Sequence, residues 1–194
     1  MKELKVRLTG ASPLLMHSDR GANPLDPDVI KHKELTSKRK KTDDDHRAIA
    51  KSEWLLALYW DKKNGPYIPS MNVRASLIGG AKFNKLGTHV KRSTLLEIER
   101  IPLEYDGPRN IKGLFDSGNF IDTRSVVVMS KRLMRNRPVF QNWSLVFEMS
   151  YDEKQLEERD LMTAFKEAGK LIGIGDFRPE KGGLFGRYSV KKEK

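Results

Sequence analysis

Apolar and polar residues alternate over residues 2–9 (KELKVRLT), which sets Leu4, Val6 and Leu8 on one side of an extended chain and Lys5, Arg7 and Thr9 on the other. This is the pattern of a half-buried strand, punctuated by Gly10 and Pro13. The next periodic stretches are helical. A short helix is predicted over about 28–35, after Pro24 and Pro27. A longer one follows Thr42, an N-cap. Asp43, Asp44 and Asp45 fill its first turn, where negative charge suits the helix dipole. It runs to about Trp60 and is closed by Gly65-Pro66. Residues 66–69 (PYIP) read as a short extended piece. Ser70 then caps a helix over 71–83 in which Val73, Leu77 and Ala81 share a stripe. Gly79-Gly80 weakens that helix and implies close approach of another backbone.

Residues 94–104 (TLLEIERIPLE) predict a strand, with Pro102 at an edge or bulge. Residues 105–119 read as loop, and 120–137 as a β-hairpin or extended arm. Over 139–150, Val139, Trp143, Leu145, Phe147 and Met149 alternate, with Gln141 as the polar exception, and predict a strand. The clearest helix spans 154–172: Leu161, Phe165, Ala168 and Ile172 form one face, and Gly173 is its C-cap. A glycine-rich loop and a last strand, 184–190, follow. The tail KKEK is expected to fray.

Strand, helix, strand, strand, helix, strand is the order of a split βαβ fold. The expectation is one α+β domain over residues 1–194 with a ferredoxin-like (RRM-like) βαββαβ core. Two long insertions, at about 10–69 and 105–138, interrupt it.

Composition narrows the function. Lys plus Arg number 37 and Asp plus Glu 26, a net charge of +11, which points to a polyanionic partner. There is no cysteine, so disulfides, thiolate catalysis and Cys-ligated zinc are excluded. The charged N-terminus is not a signal peptide, and no run approaches a membrane span, so a cytoplasmic protein with no membrane partner is expected.

The segment GIGDFRPEKGGLFGRY (173–188) has the wrong context for a dinucleotide fingerprint. Helix precedes it and strand follows it, so no phosphate meets a helix N-terminus. No nucleotide cofactor and no metal are expected. Gly173 and Gly175 permit a tight turn. Gly182, Gly183 and Gly186 permit close approach to a backbone, either the protein's own in a packing turn or a ribose-phosphate chain, with Arg178, Lys181 and Arg187 around it.

Helix, G-x-G, a second glycine step, then G-R and a closing strand resembles the C-terminal motif of the RAMP superfamily, the ferredoxin-like RNA-binding proteins of CRISPR effectors. The stretch IPSMNVRASLIGG (68–80) is similar to that superfamily's first helix with its preceding turn. The chain also resembles an uncharacterised bacteriophage family that shares PLLMH, TSKRKKTD and GIGDFRP. The reading is a phage-encoded binder of single-stranded nucleic acid, RNA or DNA with RNA favoured, with copies assembled along the strand as an oligomer or filament. The resemblance also implies a link to CRISPR effectors, as a component or as an inhibitor that mimics one. In that superfamily an arm inserted between the middle strands splays the bases of bound RNA. Residues 124–137 occupy the matching place here.

Two basic stretches are the predicted contacts. Lys31, Lys33, Lys38, Arg39, Lys40 and Lys41 lie in the first insertion. Arg124, Lys131, Arg132, Arg135 and Arg137 lie in the second, interleaved with Val126, Val127, Val128, Met129, Leu133 and Met134. The cations would neutralise phosphates while Met129, Leu133 or Met134 wedged between bases. A solvated hairpin with a small satellite core is the competing reading. Phe140 and Trp143 offer stacking surfaces, with Trp143 favoured as core. Asp43–Asp45 are read as a cap in preference to a metal site. His17, His32, His46 and His89 show no metal-ligand spacing and no triad order. The expectation is a binding module without catalytic residues. An endoribonuclease using His17 or His46 is the alternative.

Overall fold

The structure, a computed structural model, describes residues 1–193 and, for Val128, the backbone alone. In chain order its elements are β1 (Lys2–Gly10), β2 (Leu14–Leu15), α1 (Pro27–Ser37), α2 (Asp43–Ala57), β3 (Trp60–Asp61), β4 (Gly65–Pro69), α3 (Ser70–Lys82), α4 (Gly87–Ser93), β5 (Thr94–Leu95), β6 (Arg100–Tyr105), α5 (Ile111–Asp116), β7 (Ile121–Val128), β8 (Lys131–Phe140), β9 (Trp143–Tyr151), α6 (Glu158–Glu167) and β10 (Tyr188–Lys192). It is an α+β protein with antiparallel sheets. Two compact units form: residues 1–14, 60–106 and 140 onward make unit 1, and residues 15–59 and 107–139 make unit 2. Among the described residues no helix is long and apolar enough to cross a membrane.

Unit 1 is built on a sheet of order β10-β1-β9-β6-β4-β3, with β5 pairing a further stretch of β9. Register follows from the alternation in β1. Leu4, Val6 and Leu8 stand opposite Met149, Phe147 and Leu145, so six apolar side chains share one face. All six are less than 5% exposed, each worth roughly 1.5–3 kcal/mol of burial. Phe165 of α6 packs against Phe147, with ring centroids 6.3 Å apart. Gly80 of α3 lets the two helices meet closely: a Cβ there would lie 2.2 Å from the Ala164 carbonyl oxygen. The close approach predicted for Gly79-Gly80 is therefore made by α6 and the wider turn Ala168–Ile172 that continues it. Tyr188 is buried between these layers. Its hydroxyl meets Ser76 Oγ at 2.9 Å, and burial pushes its pKa above the usual tyrosine range.

Several boundaries differ from expectation. Ser70 is the first residue of α3, not a side-chain cap, and its N–H donates to the Glu99 carbonyl instead. The predicted strand 94–104 is two strands, β5 and β6, separated by an excursion over 96–99, and α4 precedes them. Pro102 is not at an edge, because β6 runs between β9 and β4. The ladder with β9 starts only at Leu103, so no N–H is needed from Pro102 there. The strand predicted over 139–150 breaks at Gln141-Asn142: Val139 and Phe140 end β8, and β9 begins at Trp143. The last strand lies at 188–192 and not 184–190. Residues of the tail are held in it, with Lys191 opposite Arg7, Lys192 opposite Val6, and the Glu193 N–H on the Lys5 carbonyl. Lys194 lies outside the described residues.

Unit 2 takes α1, α2, α5, the hairpin β7–β8 and Leu15 of β2. Its three-stranded sheet has the order β2-β8-β7. Trp54 of α2 is fully buried; its indole N–H donates to the Phe120 carbonyl at 2.8 Å, and its ring meets Phe115 of α5 edge-on at 5.3 Å. The Met16 N–H donates to the Pro138 carbonyl at 2.9 Å. Two stretches far apart in sequence thus share one core. Unit 2 overlaps the two predicted insertions, except that residues 60–69 form β3 and β4 of unit 1. The expected loop 105–119 contains α5, and the expected hairpin 120–137 is β7–β8.

Candidate nucleic-acid interface

The hairpin of unit 2 pairs Arg124 with Arg135, Ser125 with Met134, Val126 with Leu133 and Val127 with Arg132. Directly opposed residues share a face, so Val127 and Met134 stand on one side with Arg132, and Leu133 and Val126 on the other. At the tip, Met129 and Ser130 have φ of +48° and +64°. A two-residue turn of this kind favours Asn-Gly. Holding ordinary L-residues there costs roughly 1–2 kcal/mol each. The strain displays an apolar side chain: Met129 is 93% exposed, followed by Val127 at 68% and Met134 at 59%. Of the side chain of Val128 nothing is described.

The cations of the hairpin divide by role. At its base, Arg124 is bidentate to Asp122, both contacts 2.5 Å, and this partner raises the arginine's pKa. Arg135 donates to Glu53 Oε1 at 2.6 Å. Arg137 lies in a cleft of unit 2. Toward the tip, Lys131 and Arg132 are exposed and make no ion pair among the described residues. The satellite-core reading therefore fits the base of the hairpin but not its tip.

The densest basic cluster, Lys38–Lys41, is the corner between α1 and α2. Lys38 Nζ is 2.6 Å from Asp45, and Lys41 Nζ donates to the Lys38 carbonyl at 2.7 Å. Thr42 and Asp45 form a reciprocal capping box: the Asp45 N–H donates to Thr42 Oγ1, and the Thr42 N–H to Asp45 Oδ2. Lys38, and after it the Thr42 amide, hold the Asp45 carboxyl down to about 2. Asp44 pairs with Arg47 at 3.0 Å. Among the described residues no three His, Asp or Glu side chains group as metal ligands. Arg39 and Lys40, and on α1 Lys31 and Lys33, are exposed and outside any ion pair among the described residues.

The glycine-rich loop belongs to unit 1. Gly173, Gly175 and Gly182 hold φ between +74° and +80°. Gly183 and Gly186 are the tight positions. A Cβ at either would lie 1.7 Å from a carbonyl oxygen, that of Phe177 or of Ile174. The backbone these two glycines approach is the loop's own. Hydrogen bonds close it, from the Ile174 N–H to the Gly186 carbonyl at 2.9 Å and from the Gly186 N–H to the Pro13 carbonyl at 2.8 Å. Arg178 is spent inside, on the Gly175 carbonyl and Glu180. Lys181 and Arg187 remain exposed, as does Gly182.

Phe140 and Trp143 are both core. Phe140 is fully buried and edge-on to Tyr105, and the Trp143 indole donates to the Ser12 carbonyl at 2.9 Å. The stacking role considered for them is excluded by burial. Of the histidines, His17, His46 and His89 are exposed, and His17 and the half-buried His32 line one cleft in unit 2. Nothing in their spacing announces this, because His17 lies in the loop after β2 and His32 on α1.

No protein-family model and no curated protein matches the chain.

Proposed function

We propose that this protein is a single-stranded nucleic-acid binder, with RNA favoured over DNA, and that the β7–β8 hairpin is its principal contact. The observation that carries this is the tip. Met129 is 93% exposed at a strained turn, next to Lys131 and Arg132, which make no ion pair among the described residues. Water is a poor environment for such an apolar tip, and a stack of bases is a good one. Phosphates take the adjacent cations. Arg39 and Lys40 of the α1–α2 corner, with Lys31 and Lys33, are further exposed cations of unit 2, and unit 1 has its own in Lys181 and Arg187 of the glycine loop.

The reading of unit 1 as a ferredoxin-like core is supported by its strand order. β10-β1-β9-β6, with α3 after β1 and α6 after β9, is the arrangement that a βαββαβ chain makes when each helix carries it across a neighbouring strand. With the resemblance of its C-terminal motif, this favours a RAMP-like, phage-encoded protein that acts by binding, with copies along the strand.

The test is fluorescence anisotropy on a labelled single-stranded oligonucleotide across a salt series. Lys131→Gln with Arg132→Gln should lower the magnitude of the log–log salt slope by about 1.4, two contacts at roughly 0.7 each. Met129→Ser should weaken binding without moving the slope. Affinity unchanged in both variants would remove the hairpin from the interface.

A further inference from the structure

We infer that β7 is a self-pairing edge, through which two copies of this chain join antiparallel into one continuous sheet about a two-fold axis at Ser125. β7 is the outer strand of the unit 2 sheet, and β8 is the strand it pairs with. The direction of its backbone groups follows from β8. There the Pro138 carbonyl turns to the Met16 N–H at 2.9 Å, and the Asn136 N–H to Glu53 Oε2 at 2.9 Å, both away from β7. In an antiparallel ladder, residues directly opposite either exchange both bonds or exchange none. Ile121 and Thr123 stand opposite Pro138 and Asn136, so they exchange none with β8. Phe120 and Val139, the pair beside them, do bond, N–H to carbonyl at 3.1 Å. The alternation carries on to Ser125 and Val127. The N–H and C=O groups of Thr123, Ser125 and Val127 therefore point outward, and they make no hydrogen bond among the described residues. All three residues are exposed.

An open edge of this kind is normally guarded by lysine, proline, a bulge or a very short strand. The unit 1 sheet follows that rule: β10 at one edge carries Lys191 and Lys192, and β3 at the other has 2 residues. β7 runs for 8 residues, IDTRSVVV, with no lysine and no proline. Its two charges, Asp122 and Arg124, are bound to each other. Along the edge itself stand Thr, Ser and Val, small or β-branched residues suited to a further strand.

A second copy is the occupant because β7 is complementary to itself in one register. Placed about Ser125, Thr123 meets Val127 of the second copy, Ser125 meets Ser125, and Val127 meets Thr123. Each pair exchanges two bonds, which uses every outward N–H and C=O of these residues on both copies. Arg124 falls beside Val126, so no like charges meet. Slid two residues one way, Arg124 would face Arg124, which is unfavourable. Slid the other way, Thr123 would face Met129, whose φ of +48° lies outside the strand region. A contact between identical patches closes on itself. It yields a dimer rather than an open row of copies along a strand, and it forms without nucleic acid.

The test is sedimentation velocity of the full chain, freed of nucleic acid by nuclease treatment, over a wide range of protein concentration. Wild type should pass from monomer to dimer as concentration rises. Ser125→Pro removes an outward N–H and no bond to β8. By symmetry it deletes two bonds from the dimer, so the dissociation constant should rise about tenfold or more. Ser125→Lys sets two ammonium groups opposite each other and should act in the same direction; it keeps the test valid should proline disturb the hairpin. The chain has no cysteine, so Ser125→Cys supplies a single thiol. A short bismaleimide should couple two copies through it, and should not couple Ser37→Cys on α1. Wild type monomeric at every concentration, association unchanged in both the proline and lysine variants, or equal coupling of the two cysteine variants would each overturn the pairing. Lys131→Gln with Arg132→Gln should leave the dimer intact, so loss of oligonucleotide binding and loss of the dimer are read independently.

Discussion

At Gly80, a β-carbon would stand 2.2 Å from the Ala164 carbonyl oxygen and 2.6 Å from the Ala168 nitrogen, both backbone atoms that cannot step aside alone. Gly80→Ala should therefore destabilise unit 1 by about 1–3 kcal/mol, the range for overpacking, although alanine is the better helix former. Urea denaturation followed by circular dichroism measures this; a stabilised variant would mean the helices are free to separate. Ala81 lies beside Gly80 in the same helix and is fully buried, which shows how local the constraint is. The glycine pair announced it in the sequence. The same residue-by-residue reading did not find Glu53, whose role depends on a strand 82 residues away, nor Gly169, which approaches the Tyr188 carbonyl. A lone Glu or Gly in a helix carries no mark of the partner it will meet.

Whole elements were legible where a local rule governs them. The α2 start was readable because Thr42 and Asp45 cap each other through four consecutive residues, and its chemistry gives a pH prediction. Asp45 has a folded pKa of about 2, below its unfolded value of roughly 3.9. Its contribution is present above about pH 4 and lost as pH falls through 2. Urea midpoints of wild type and Asp45→Asn should therefore differ at neutral pH and converge in acid; a gap that persists at pH 2 would contradict the assignment. By contrast α4 (GTHVKRS) and α5 (IKGLFD) are single turns or two, too short to show a period. The hairpin offers a second test at this scale. Met129→Asn with Ser130→Gly should relieve the strained turn, so unit 2 gains thermal stability while single-stranded affinity falls. If affinity held, Met129 would be a mere turn residue.

For the molecule as a whole, net charge pointed to a polyanion but not to where it would sit. Among the eleven predicted cationic contacts in the two insertions, Lys38, Arg124 and Arg135 are tied to carboxylates, and nothing in the sequence marks them off from Lys131 and Arg132. The bipartite make-up of unit 2 was hidden for a different reason. Insertions read singly have no visible core, and Trp54 is buried only once Phe115 and Phe120 arrive from the second stretch. Chain order also has a consequence for synthesis. β1 lies between β9 and β10, so it leaves the ribosome well before either strand it pairs with. Its alternating apolar face must stay uncovered until residues 143–192 have been made. A co-translational chaperone that shields Leu4, Val6 and Leu8 until β10 emerges would then govern how much soluble protein a cell recovers.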